Sequence, residues 1–151
     1  MQIRIEEKGR EDIPLIKPLW EKLNTLHFQN SVHFKHKYKK WTFEDRMRIL
    51  KEKLGAGLVK LDMLFDEETQ AYAGYCLSLI ADGKGSVESL FVENGYRLHG
   101  LGGLLMQNAL EWFDENRISD IGIDVAYDNR EALPFYQHCG FYVCAYCLKK
   151  K

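Results

Sequence analysis

The chain lacks an excess of charge of either sign, and it lacks a long hydrophobic run. Its 151 residues contain 21 Lys and Arg against 22 Asp and Glu, which gives a formal net charge of −1. A nucleic-acid-binding surface or an acidic tail usually shows as an imbalance, so neither is predicted. No apolar stretch approaches the roughly 20 residues that cross a bilayer, and residues 1–6 alternate instead of forming a signal-peptide core. We therefore expect a soluble, cytoplasmic protein with no nucleic-acid and no membrane partner.

The chain has four cysteines, and their spacing does not predict a metal site. Cys144 and Cys147 form a single C-x-x-C, and Cys76 and Cys139 are the other two cysteines. If the apolar run 141–148 is a strand, residues three apart point to opposite faces and cannot share an ion. No second C-x-x-C completes a zinc site. We expect no metal site. We expect the cysteines to be small buried thiols in a reducing compartment.

The first half of the chain predicts one strand followed by helices. Residues 2–6 alternate like a strand, and Asp12 is a plausible N-cap for a helix with apolar residues at helical spacing. Residues 29–40 are polar, aromatic and basic without clear periodicity. Thr42-x-x-Asp45 resembles a capping box, and Gly55 is placed to end the helix that it opens.

The second half predicts a hairpin, a third strand and then alternating helices and strands. Residues 58–65 and 70–80 form the hairpin, and residues 86–92 form the next strand. A helix over 101–113, a strand over 121–125, a further helix and the run 141–148 complete the order β-α-α-β-β-β-α-β-α-β. This length and order predict one domain over residues 1–151, with a mixed sheet and helices on both faces.

A glycine-rich turn joins the third of these strands to the next helix. Such a turn presents unpaired backbone N–H groups and the positive end of a helix dipole to one point, which suits a phosphate. Glycines at 100, 102 and 103 let a ligand approach the backbone, and Arg97 could add a charged fork. The turn is neither a P-loop nor the dinucleotide motif G-x-G-x-x-G.

Two motifs resemble one known family. R-x-x-G-x-G begins at Arg97 after the strand end Leu90-Phe91-Val92, and N-x-x-A-x-x-F-Y-x-x-x-G-F begins at Asn129. In this order they resemble the GNAT superfamily of N-acetyltransferases, strongly over residues 74–146 and in outline before that. The resemblance implies the α/β (α+β) GNAT fold, in which the fourth and fifth strands run parallel and splay apart.

The resemblance also implies acetyl-CoA as the co-substrate and a primary amine, of a small molecule, as the acceptor. Direct attack in a ternary complex would transfer the acetyl group. Small members of this family are often homodimers. The co-substrate would be held by the backbone of the strand end, by the glycine turn and by the asparagine of the second motif. These residues are Phe91, Val92, Arg97, Leu98, His99, Gly100, Leu101, Gly102, Gly103 and Asn129.

Tyr136 and Glu88 are the catalytic candidates. Tyr136 occupies the family position from which a tyrosine protonates the CoA thiolate. Glu88 lies in phase with Leu90 and Val92 and could serve as a base through water, or it could equally be an ion-pair partner. Aromatic and imidazole side chains of the first helix pair could line an amine pocket or pack on the sheet. These substrate-binding candidates are His27, Phe28, His33 and Phe34.

Three other functions stay open at this stage. A catalytically silent acyl-CoA-binding or regulatory module would use the same pocket, although Tyr136 argues mildly against it. A protein acetyltransferase acting on N-termini or lysines is a second alternative, but a net charge near zero does little to attract a polybasic partner. The second motif argues strongly against the third, an unrelated nucleotide-binding domain.

Overall fold

A five-stranded sheet forms the centre of the computed structural model, which describes residues 1–151. The strands lie in chain order, with the first three pairs antiparallel and the last pair parallel. This arrangement confirms the predicted mixed sheet. The strands are β1 (Ile3–Lys8), β2 (Leu58–Asp66), β3 (Ala71–Ala81), β4 (Lys84–Val92) and β5 (Ile121–Ile123).

Five α-helices cover the two faces of this sheet. Alternate residues of β3 face opposite sides, so that Tyr75 and Leu77 join one apolar cluster and Cys76 joins another. The first cluster lies under α1 and α3, and the second lies under α4, which confirms helices on both faces. The helices are α1 (Lys17–Asn30), α2 (Lys35–Lys40), α3 (Phe43–Leu54), α4 (Leu101–Glu115) and α5 (Ala132–His138). None of them is long and apolar enough to span a membrane.

The capping box predicted at Thr42 is present at the start of α3. The Thr42 hydroxyl accepts a hydrogen bond from the Asp45 N–H at 3.1 Å, and the Asp45 carboxylate accepts one from the Thr42 N–H at 3.1 Å. The helix ends at Gly55, whose φ of +50° lies in the left-handed region that glycine tolerates best. Both ends of α3 are thus determined by local sequence.

The start of α1 differs from the prediction. Asp12 lies inside a 3₁₀ turn, Arg10–Ile16, and its carboxylate accepts a hydrogen bond from the Gly9 N–H at 3.1 Å. Asp12 therefore caps the turn and not α1, which begins afterwards with Pro18 in its first turn. The short helix α2 was not predicted, because six residues are too few to show a helical period.

The predicted last strand is wrong. Residues 141–151 have no regular secondary structure, and the apolar side chains of Tyr142, Tyr146 and Leu148 are exposed. A run of β-forming residues becomes a strand only when a neighbouring backbone pairs with it, and none does so here. The prediction of buried thiols is also wrong for Cys144 and Cys147, which are exposed on this segment.

Candidate active site

The parallel strands β4 and β5 pair over a short length and then separate. Three residue pairs hold them together, and the last of these joins Val87 to Ile123. β5 ends there, whereas β4 continues to Val92. The predicted separation of the fourth and fifth strands is therefore present, and it leaves one edge of residues 88–92 without a strand neighbour.

A β-bulge at Glu88 marks the point of separation. Ser78 pairs with Val87 and Leu77 pairs with Ser89, so Glu88 has no partner residue on β3. A bulge inserts one residue into a strand and shifts the alternation of faces. The expectation that Glu88 shares a face with Leu90 and Val92 is consequently wrong, because its side chain meets α3 on the opposite face of the sheet.

The contacts of Glu88 match the ion-pair role. Its side chain is only 6% exposed and lies 3.2 Å from the Arg46 guanidinium and 2.7 Å from the Lys53 ammonium. Burial raises the pKa of this carboxyl, but the hydrogen bond and charge of Lys53 and the charge of Arg46 outweigh it and lower the pKa overall. Glu88 thus joins α3 to β4 in its charged form.

The glycine turn carries a row of free backbone donors. None of the six consecutive amide N–H groups from Leu98 to Gly103 donates to another group of the chain, and the first helical bond of α4 starts at Leu104. Gly100 has a φ of +74° and Leu98 a φ of +66°. Tyr96 anchors the turn, since its hydroxyl donates to the Asp66 carboxylate at 2.6 Å. An anion is the ligand that such a row of N–H groups favours.

Arg97 lies at this turn, but its side chain points back to the end of β4. Its Nε donates to the Val92 carbonyl at 2.8 Å, and its guanidinium carbon lies 5.6 Å from the centre of the Phe91 ring. The Val92 carbonyl lies on the part of β4 that β5 no longer accompanies. The structure therefore places Arg97 at the strand end instead of as a fork over the glycine turn.

The second motif packs directly on the first. A Cβ added at Gly102 would lie 3.4 Å from the Phe135 ring of α5, whereas one added at Gly103 would meet nothing within 4 Å. Gly102 therefore allows the close approach of α5 as well as of any ligand. Tyr136 follows Phe135 and stacks edge-on against Phe141, with ring centres 6.4 Å apart. Tyr136 also packs in the same apolar cluster as Val92 of β4 and Ile123 of β5, the strands that separate.

The environment of Tyr136 keeps its hydroxyl protonated. Burial raises the pKa of the phenol, and the nearby Cys76 and Cys139 thiols add to this effect. The hydroxyl makes no hydrogen bond within the chain. A neutral phenol with a free O–H is able to donate a proton to an anion that forms beside it.

The predicted acceptor residues separate into two groups. His27 and Phe34 line a cavity of about 60 Å³, together with Tyr38. His33 is exposed and does not line this cavity, and Phe28 lies under the Lys35 ammonium at 5.2 Å. The structure therefore brings together two of the four candidates.

Part of the cavity wall comes from the loop after β5, at residues 126–129. Asn129 of the second motif is one of these residues, and its neighbour Asp128 was missed from sequence. The position of Asp128 directly before the motif was the one available signal, since nothing in the sequence connects it to the first helix.

Comparison with known families agrees with this geometry. The model of the acetyltransferase (GNAT) family matches residues 20–141. The chain belongs to the GNAT family. Sequence and structure thus identify the same family, and the two motifs quoted above both lie inside or at the edge of the matched region.

Solved structures show the same GNAT fold at low sequence identity. An acetyl transferase candidate from Pyrococcus furiosus is 22% identical, with a TM-score of 0.76 and 99% of each chain covered. The PaiA N-acetyltransferase of Thermoplasma acidophilum, in complex with coenzyme A, is 18% identical, with a TM-score of 0.70 and 95% and 91% covered. The aminoglycoside N-acetyltransferase AAC(6′)-Iy, in complex with CoA, is 12% identical, with a TM-score of 0.68 and 99% and 94% covered.

Proposed function

We propose that residues 1–151 form a single acetyl-CoA-dependent N-acetyltransferase domain that acts on the primary amine of a small molecule. The observation that supports this most is the row of six free amides, which lies beside separated strands and a half-buried tyrosine. Acetyl-CoA would supply an acetyl thioester. Two GNAT relatives of similar fold are bound to coenzyme A, which fits an anion-binding turn at this position.

The chemical groups that this chain presents match those of acetyl-CoA. The amides from Leu98 to Gly103 would hold the pyrophosphate, because unpaired N–H groups at a helix start attract phosphate. The free edge of β4 near Phe91 and Val92 would bind the pantetheine arm, with Asn129 on the other side of the opening. Arg97 contacts the same strand end, so we assign it to the arm and not to the pyrophosphate.

Within this proposal Tyr136 is the general acid. Attack of a neutral amine on acetyl-CoA forms the C–N bond, breaks the C–S bond and leaves a thiolate, which a neutral phenol can protonate. The proton that the nitrogen then loses restores the phenol. The raised pKa and the free hydroxyl of Tyr136 support this assignment. Glu88 is left out of the proposed chemistry, because two cations occupy its carboxylate.

A small acceptor is supported by the size of the cavity beside α1. Its volume of about 60 Å³ admits a compact group and no folded peptide segment. Direct attack in a ternary complex is the simplest route, because α5 and α1 border the same opening. A homodimer also belongs to this proposal, supported by the exposed apolar side chains of Tyr142, Tyr146 and Leu148 beyond α5.

The test is an assay of free thiol release from acetyl-CoA over a panel of amines. Turnover with at least one small primary amine is expected, together with a rise in melting temperature when acetyl-CoA binds. If acetyl-CoA binds and no amine is acetylated, the chain is a silent acyl-CoA-binding module. If only peptide N-termini or lysines react, the small-molecule part of the proposal is wrong.

A further inference from the structure

The C-terminal half of α1 runs from the end of β4 towards the loop that follows β5. Near the middle of α1, the Lys22 ammonium lies 2.8 Å from the carboxylate of Glu93, the residue that follows β4. Just beyond the end of α1, the Val32 N–H donates to the Asp128 carboxylate at 3.1 Å, in the loop after β5. These two contacts place the C-terminal half of α1 along the opening between the strands.

The turn from α1 into α2 is held by polar contacts. The Lys35 ammonium donates to the carbonyls of Phe28 and Gln29, at 2.8 Å each. The buried Ser31 hydroxyl accepts from the Phe34 N–H at 3.0 Å. Asn24 donates from its side chain to the Tyr38 carbonyl at 3.0 Å. The aromatic side chains of this turn are consequently fixed over the opening, and they enclose the 60 Å³ cavity described above.

One charged group lines this cavity. Asp128 contributes a carboxylate, and no lysine or arginine belongs to the wall. The carboxylate makes no ion pair within the chain, and only one of its oxygens is held, by Val32. The complete wall consists of His27, Asn30, Ser31, Phe34, Tyr38, Ala126, Tyr127, Asp128 and Asn129.

His27 adds no positive charge to this wall. Its Nδ1 is buried and has no hydrogen-bond partner, so a protonated ring would leave a buried N–H unpaired. Burial lowers the pKa of His27, which keeps the imidazole neutral near neutral pH. The cavity therefore combines a net negative charge with the aromatic rings of Phe34 and Tyr38, a combination that suits a cation.

We propose that this cavity binds the acceptor amine in its ammonium form, with Asp128 as its counter-ion, so that compact primary alkylamines are the preferred substrates. The bound ammonium releases one proton to solvent, and the neutral nitrogen then attacks the thioester. The inference rests on the proposed function, since it concerns the same transfer. An α-amino acid would bring its own carboxylate towards Asp128, and an arylamine is uncharged near neutral pH and gains nothing from it. Asn129, which the proposed function assigns to the pantetheine arm, lies in the same wall, so the amine would be bound beside the thioester, as transfer requires.

The volume of the cavity limits the size of the bound group. One water requires roughly 10–15 Å³ of such space, so 60 Å³ corresponds to a group of about four to six heavy atoms. The aminomethyl end of an unbranched chain fits this limit, and so does the whole of n-butylamine, which has five heavy atoms. We therefore use n-butylamine as the probe.

The experiment compares steady-state kinetics of three proteins with n-butylamine and acetyl-CoA. Asp128→Asn keeps an oxygen for the Val32 N–H but removes the charge. The expected result is a rise in KM for butylamine of about tenfold or more, with KM for acetyl-CoA unchanged. The matched control is Glu131→Gln, because Glu131 is exposed, lies three residues away and does not line the cavity. It makes the same change in net charge and should leave both KM values as they are.

A second measurement detects binding without turnover. Butylammonium chloride, with sodium chloride as the control, should shift the NMR signals of the His27 imidazole, which are assigned by their loss in His27→Gln. The shift should saturate in the wild type and be absent in Asp128→Asn. Binding of this kind without acetylation of any amine would support the cavity and overturn the proposed function.

Three outcomes would overturn the inference while leaving the proposed function intact. The first is acetylation of butylamine with the same KM in the wild type and in Asp128→Asn. The second is an effect of Glu131→Gln equal to that of Asp128→Asn, since the effect would then come from net charge alone. The third is equal kcat/KM for alkylamines, α-amino acids and arylamines in the wild-type protein.

Discussion

The two sides of the opening between β4 and β5 are constructed in different ways. On the side of the glycine turn, the groups that we propose to bind a ligand are main-chain amides of one continuous segment, from Leu98 to Gly103. On the side of α1, they are side chains from two segments about 100 residues apart in sequence, represented by His27 and Asp128. A segment that binds a ligand through its backbone needs only glycines and a helix start. Binding on the side of α1 depends instead on the identity of each side chain.

This difference supports the proposed assignment of one substrate to each side. Backbone donors at a helix start recognise phosphate whatever else is attached to it, so the first side suits a co-substrate that stays the same across a family. Side chains can be exchanged without disturbing the fold, so the second side suits an acceptor that differs between members. Tyr136 lies where the two sides meet, and substitutions can be chosen to affect one side or the other.

The largest effect is expected where the two sides meet. Tyr136→Phe removes the hydroxyl but keeps the ring that stacks on Phe141. General acid catalysis is worth about 10²–10⁴-fold, so kcat should fall by roughly 100-fold while the affinity for acetyl-CoA stays the same. Single-turnover kinetics over the amine panel would measure this. An unchanged chemical step would give Tyr136 a packing role alone.

Loss of the Glu88 ion pairs should lower the free energy of unfolding and leave the rate of acetyl transfer unchanged. Glu88→Gln removes a buried carboxylate that Arg46 and Lys53 contact, and the expected loss is about 2 kcal/mol of unfolding free energy near neutral pH. The lowered pKa of Glu88 means that its stabilisation is present above the ordinary pKa of glutamate, about 4.3, and disappears as pH falls through the folded value.

Urea unfolding at neutral pH and at about pH 3, below the ordinary glutamate pKa, measures this effect. The gap between the wild type and Glu88→Gln should shrink at the lower pH, because the unfolded wild type then takes up a proton at Glu88 that the folded protein, with its lowered pKa, takes up only at a still lower pH. The pH profile of kcat/KM should stay the same in the variant. A lower plateau of that profile would instead make Glu88 the base.

A charge placed on the glycine turn should affect the co-substrate side alone. Leu98 is fully exposed with a φ of +66°, a conformation that Asp and Asn both tolerate. Leu98→Asp should weaken acetyl-CoA binding by about tenfold through repulsion of the pyrophosphate, and added salt should reduce the effect. Leu98→Asn has the same shape without the charge and should bind acetyl-CoA as the wild type does. Equal affinities by calorimetry for the two variants would contradict an anion at this turn.

The smallest effect is expected at a position remote from both sides. Thr42→Ala removes the capping box of α3 and should cost about 1 kcal/mol of unfolding free energy, with no change in acetyl-CoA affinity. Thr25→Ala makes the same chemical change within α1, where the hydroxyl only bonds back to the Glu21 carbonyl. Thermal unfolding should separate the two variants, and a larger loss at Thr25 would be inconsistent with the capping argument.

Local sequence was sufficient wherever neighbouring residues determine the outcome. The capping box of Thr42 and Asp45, the end of α3 at Gly55 and the hairpin of β2 and β3 all depend on contacts within a few residues. The glycine turn is also determined by local sequence, because free amides arise wherever a strand leads into a helix. These features, with the two motifs, determined the fold class and the family.

Only the tertiary structure decided the rest, because those features depend on distant partners. A bulge reversed the face of Glu88 and brought it to Arg46 and Lys53, although the alternation of its neighbours indicated the other face. Residues 141–148 carry the composition of a strand and pair with nothing. Asp128 faces the cavity of His27 because α1 ends beside the loop after β5. Such contacts join residues far apart in the chain, and no local pattern of hydrophobicity or spacing records which of them will meet.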